Sequence, residues 1–111
     1  MKKYLFRKYR KKYPKLFLKE KERLEKFLPK NIKIEHIGST AVPGLGGKGF
    51  IDILVGFRSR RDIKKSIRPM EKEGYAIMNG FQKFKRTSFK KIYGFWFFNR
   101  RVHVHFVVYN K

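Results

Sequence analysis

Along residues 13–28, YPKLFLKEKERLEKFL, the apolar positions Leu16, Phe17, Leu24, Phe27 and Leu28 return to one side of a 3.6-residue period. That spacing predicts an amphipathic helix. Pro14 suits its first turn, where a missing N–H is tolerated. IKIEHI (32–37) alternates apolar and polar residues and predicts a strand. GSTAVPGLGGKG (38–49) reads as a loop with room for one helical turn. FIDILVGF (50–57) is a nearly unbroken apolar run and predicts a strand covered on both faces. RDIKKSIRPMEKEG (61–74) carries the stripe Ile63, Ile67 and Met70 and predicts a second helix, with Asp62 placed to cap it and Gly74 to end it. Pro69 inside that helix is expected to kink or split it. Two or three further strands are expected within 75–78, 83–91 and 94–99, then a firmer one at 102–109. A βαβ order followed by a β-rich half indicates a single α+β domain with helices packed on a mixed sheet.

Composition adds one strong feature. The 111 residues hold 30 Lys and Arg against 8 Asp and Glu, a net charge of +22. Few of these cations can find a carboxylate, so the rest face water or anions. Such a field attracts phosphates and polyanions, although a general adaptation of the surface to solvent or salt is the alternative. Residues 1–15 contain eight of the cations among four aromatics, and residues 1–13 read as a basic N-terminal arm. That segment has no apolar core of a secretory signal. No window reaches the ~18 apolar residues of a membrane helix, so a cytoplasmic protein without a membrane partner is expected. The chain has no cysteine, which excludes disulfides, thiolate metal sites and cysteine nucleophiles.

The charge stops abruptly at residues 34–57, which hold one lysine, Lys48, and no arginine. Gly44, Gly46 and Gly49 spell G-x-G-x-x-G, but the dinucleotide fingerprint follows a strand and opens a helix, whereas this loop runs into a strand. Lys48 is followed by Gly49, not Ser or Thr, so the loop is no P-loop. Tight turns alone could require these glycines. Gly38, Ser39 and Thr40 directly after a strand also offer backbone N–H groups and hydroxyls suited to phosphate oxygens. Asp52 is a carboxylate in an apolar strand, which is costly unless it is paired or bound to a metal. It is either an ion-pair partner for a nearby cation, or a metal ligand or general base. His103 and His105 share one face of the last strand. They could hold a metal if His36 or Asp52 supplied a third ligand. A serine nucleophile has no support, because Ser39 lacks the G-x-S-x-G context.

EHIGSTAVPGLGGKGFIDILV resembles the signature of the GrpB-like proteins of the nucleotidyltransferase-fold superfamily. YPKLFLKEKERLEKFL is similar to that family's N-terminal helix and RVHVHFVV to its His-x-His strand. The resemblance implies a nucleotidyltransferase-like mixed sheet. It also implies that Gly38 and Ser39 hold a nucleotide triphosphate and that Asp52 binds a divalent metal; the loop itself adds Thr40 and Lys48 as candidate phosphate partners. The superfamily's acid-x-acid pair is incomplete here, because Phe50 and Leu54 flank Asp52 two residues away on each side. No carboxylate follows Glu73, and His103 or His105 stands near the place of the third acid. Mg²⁺ or Mn²⁺ is the metal that the superfamily implies, whereas imidazole ligands favour Zn²⁺. Family members usually continue into a further helical segment, so the resemblance implies a minimal or truncated version of the domain. The alternative function is a catalytically inactive fold that binds RNA or DNA, motivated by the charge and by the aromatics among cations in KFKRTSFKKIYGFWFF (83–98).

Overall fold

Two helices cover one face of a five-stranded sheet in the computed structural model, which describes residues 12–42, 50–78, 87–95 and 98–109. In chain order the elements are α1 (Tyr13–Glu25), β1 (Lys33–Ile37), a 3-10 turn (Ser39–Ala41), β2 (Ile51–Phe57), α2 (Arg60–Lys72), β3 (Ala76–Ile77), β4 (Thr87–Phe95) and β5 (Phe98–Val108). The sheet order is β1-β2-β5-β4-β3. Only β2 and β5 run parallel, and the other pairs are antiparallel, so the sheet is mixed. The domain is α+β, as the pattern predicts.

The period of two along the strands divides the sheet into two unlike faces. Ile51, Ile53 and Val55 of β2 and Val102, Val104 and Phe106 of β5 are buried, and with Phe89 they form the floor under the helices. Phe106 packs between Phe57 and Phe89 at tilted ring angles. Asp52 and Leu54, which alternate with those residues, are only half-buried. The expectation that β2 is covered on both faces is therefore corrected: its apolar run serves one covered and one open face. Near one end of the open face Gly56 leaves room for the Tyr109 ring, since a Cβ there would lie 2.8 Å from Tyr109 Cδ2. Lys33 Nζ lies 4.6 Å from the centre of that ring.

α1 begins at Tyr13, with Lys12 as its N-cap, so Tyr13 belongs to the helix and not to an arm. Pro14 occupies its first turn. Its buried side carries Leu24 and, unexpectedly, Glu20. Glu20 accepts hydrogen bonds from the hydroxyls of Tyr75 and Tyr93 and from Arg23, the last at 2.8 Å. These bonds tie α1 to the segment after α2 and to β4. Burial and the neighbouring Glu20 carboxylate push the Tyr93 hydroxyl up to about 12 and the Tyr75 hydroxyl higher still, so both remain donors.

α2 is capped by Ser59, whose Oγ accepts from the Asp62 N–H at 3.2 Å. Asp62 lies in the first turn, where a carboxylate meets the helix dipole favourably, but it is not the cap. Gly74, at φ +95°, closes the other end: its N–H reaches the Glu71 carbonyl and the Tyr75 N–H reaches that of Met70. This is a Schellman ending. Pro69 does not split the helix, which runs unbroken to Lys72. The strand expected at 94–99 is instead the end of the β4–β5 hairpin, where Gly94 pairs with Asn99 and Phe95 with Phe98.

Candidate metal centre on the open face

The register of three strands places the candidate ligands. Parallel pairing sets Asp52 beside His103 and Leu54 beside His105. Antiparallel pairing sets Ser88 opposite His105 and Lys90 opposite His103. All five polar residues share the open face. His103 Nδ1 lies 3.5 Å and His105 Nε2 3.8 Å from Asp52 Oδ1. The ligand atoms of the three residues all fall within 4.8 Å of one another. Both imidazoles are about one-fifth exposed and the carboxylate about one-quarter exposed (19%, 18% and 25%), so a small ion can reach them.

These separations exceed good hydrogen bonds. They suit ligands that share one cation: tetrahedral bonds of Zn²⁺ length put neighbouring ligand atoms about 3.3 Å apart. Two imidazoles and one carboxylate form a donor set for Zn²⁺ or another transition metal, whereas Mg²⁺ demands oxygen ligands. The residues fit such an ion with coordination positions left open. Burial works to raise the Asp52 carboxyl. Attraction to His103 and His105 outweighs it and holds the group below the usual carboxylate value, ready to bind a cation.

The surroundings orient the cluster. His105 Nδ1 and Ser88 Oγ are 2.8 Å apart. A cation bound beside Asp52 would select the tautomer in which Nδ1 donates to Ser88 and Nε2 offers its lone pair to the ion. Such outer hydrogen bonds fix the tautomer of ligating histidines. The His103 ring packs at 4.9 Å against Phe50. Gly38, at φ +82°, closes over the carboxylate, and a Cβ there would lie 2.6 Å from Asp52 Oδ2. Gly38 is thus a packing neighbour of Asp52.

The remaining candidates divide. Ser39 starts the 3-10 turn and is half-buried. Thr40 is buried, and its hydroxyl donates to the Phe50 carbonyl at 3.0 Å and meets His36 Nε2 at 2.9 Å. It secures the turn to β2 and does not face the cluster. His36 stacks on Phe17 of α1 at 4.8 Å, on the covered face, so Asp52 and not His36 completes the triad with His103 and His105. Burial lowers the His36 pKa, and Asp52 only partly offsets this. Lys48 and the glycines Gly44, Gly46 and Gly49 lie outside the described residues. Ser88 was legible only through the pairing of β4 with β5, because its own sequence context carries no motif.

The profile of the GrpB protein family matches residues 5–111. The chain belongs to the GrpB family. It is 41% identical over 66 residues to a UPF0157 protein of Halalkalibacterium halodurans, which covers 59% of this chain and 34% of that protein. It is 35% identical over 94 residues to a UPF0157 protein of Pseudomonas aeruginosa (84% and 39% of the two chains). It is 44% identical over 54 residues to the glutamate-rich protein GrpB of Alkalihalophilus pseudofirmus (48% and 31%). The crystal structure of the conserved protein GrpB from Enterococcus faecalis superposes with a TM-score of 0.80 at 29% identity, covering 96% of this chain and 63% of that one. The matches thus span about a third of the curated GrpB relatives named here and under two thirds of the solved one. The five-stranded mixed sheet is consistent with the nucleotidyltransferase-type fold that the resemblance implies. Among the described residues no helix is long and apolar enough to cross a membrane.

Proposed function

We propose that this GrpB-family chain binds a divalent transition metal at Asp52, His103 and His105 and, through it, the phosphates of a nucleotide triphosphate. The observation that carries the reading is the convergence of one carboxylate and two imidazoles within 4.8 Å on the open sheet face. A bound cation would attract phosphate oxygens into its open positions. Ser39 at the neighbouring turn, and Lys48 nine residues further along the sequence, are the proposed partners for the remaining phosphate charge. Lys90, across from His103 on the same face, adds a cation that the sequence alone did not single out.

The proposal stops at binding. Two-metal nucleotidyl transfer needs oxygen ligands for both ions, and among the described residues the cluster offers a single carboxylate. Calorimetric titration of a nucleotide triphosphate panel, with Zn²⁺, Mn²⁺, Mg²⁺ or no metal and at high salt, tests the reading. Binding that requires Zn²⁺ or Mn²⁺ and is lost in Asp52→Asn is the expected result. Binding that is independent of metal, or equal in both proteins, would overturn it.

A further inference from the structure

α2 presents two unlike sides. Ile63, Ser66 and Met70 are buried, and Ile67 packs beside them. Arg60, Arg61, Lys64, Lys65, Arg68 and Lys72 are all exposed. Their spacing, 60-64-68-72 and 61-65, sets each cation one turn from another. Like charges at that spacing oppose helix formation. Two acids on the same helix, Asp62 and Glu71, form no ion pair with them. Among the described residues none of these cations has a hydrogen bond, an ion pair or a ring contact. Among the described residues nothing relieves the repulsion along this stripe.

We infer that the outer face of α2 binds the phosphate backbone of a nucleic acid without reading its sequence. Four residues of helix advance about 6 Å, so the 60–72 row spreads its charges over about 18 Å. Phosphate contacts need charge and reach, and no apolar anchor. An acidic protein partner would meet aromatic or aliphatic anchors at the centre of its interface, and this face has none. A helix that lies on a membrane enters it with its apolar side, and the apolar side of α2 is committed to the core. The net charge of +22 supplies the long-range attraction. Because α2 packs on the covered face, this surface lies on the opposite side of the sheet from Asp52, and the inference stands independently of the metal reading.

The test compares wild type with two variants of equal charge loss, using a short RNA duplex across a salt series. One carries K64Q, K65Q, R68Q and K72Q. The other carries K15Q, K19Q, K26Q and K30Q, all at exposed positions. The α2 variant is expected to bind at least about tenfold more weakly, and its slope of log affinity against log salt to fall by about 3. The second variant and Asp52→Asn are expected to stay close to wild type. Equal losses in both charge variants, no binding by wild type, or tighter wild-type binding to phosphatidylserine vesicles or polyglutamate than to the duplex would each overturn the inference. Thermal melting at low salt provides a second readout. Relief of repulsion raises the melting temperature of the α2 variant, and a marked fall would show that these cations are paired after all.

Discussion

Glu20 and Asp52 are both carboxylates at positions where the pattern calls for apolar residues, yet their surroundings differ in kind. Glu20 is 1% exposed and every group around it donates at hydrogen-bonding distance: two tyrosine hydroxyls and a guanidinium. Nothing further can approach it. Asp52 keeps about a quarter of its side chain in solvent, and its imidazole neighbours stop at 3.5 and 3.8 Å. They can present lone pairs to the same point that the carboxylate faces. A carboxylate saturated by donors belongs to the fold, whereas one that converges with other potential ligands at ligand-to-ligand spacing belongs to a site.

Breaking the saturated carboxylate should have the largest effect. Glu20→Ala leaves the buried Tyr75 hydroxyl and its neighbours without an acceptor and opens a cavity. The expected loss is about 3 kcal/mol, read by urea unfolding, with metal binding retained in the folded fraction. If Glu20→Ala costs nothing, the network is not what fastens α1 to the sheet. Gly38→Ala comes next. A side chain at that positive φ is strained by about 1–3 kcal/mol, and the added Cβ would collide with the Asp52 carboxylate. Both stability and metal affinity should fall, and loss of only one would separate the turn from the site. Ser88→Ala removes the group that orients His105 and should weaken metal binding about 10- to 100-fold with little change in unfolding.

The smallest effect concerns the covered face. His36 titrates below its ordinary value of 6.5 because it is half-buried beside Phe17 and Thr40. The unfolded chain therefore binds the proton first as pH falls, and stability declines from about pH 7 downward. In His36→Gln that part of the decline should be absent from melting curves, and an unchanged pH profile would mean that His36 protonates freely in the fold.

Much of this was legible in residue order. α1, β1, β2, α2 and β5 follow from apolar spacing, and Asp52 stood out because a lone carboxylate in FIDILV is costly. His103 and His105 could be placed on one face by alternation alone. Which residue completed their cluster could not, because β2 and β5 are neighbours only through a parallel pairing across some fifty residues of chain. Ser88 was hidden because it meets His105 only through the antiparallel register of β4 and β5, and no motif surrounds it. Glu20 was available in principle: it falls four residues after Leu16 and four before Leu24, on the helix stripe itself. Its charge concealed it, since surface helices here are full of charge, and its partners Tyr75 and Tyr93 lie far along the chain. Likewise Thr40, grouped with its neighbours as a phosphate donor, proved to be engaged by the fold, because a hydroxyl's partner depends on tertiary packing.

The most direct measurement is a titration of Zn²⁺ against a chromophoric chelator competing with wild type, Asp52→Asn, His105→Ala and Glu20→Gln. The account predicts one equivalent bound by wild type and by Glu20→Gln, and a drop of at least about a hundredfold in affinity for the two site variants, each of which removes a ligand. Equal affinity in all four proteins, or loss in Glu20→Gln alone, would contradict the distinction between the two carboxylates.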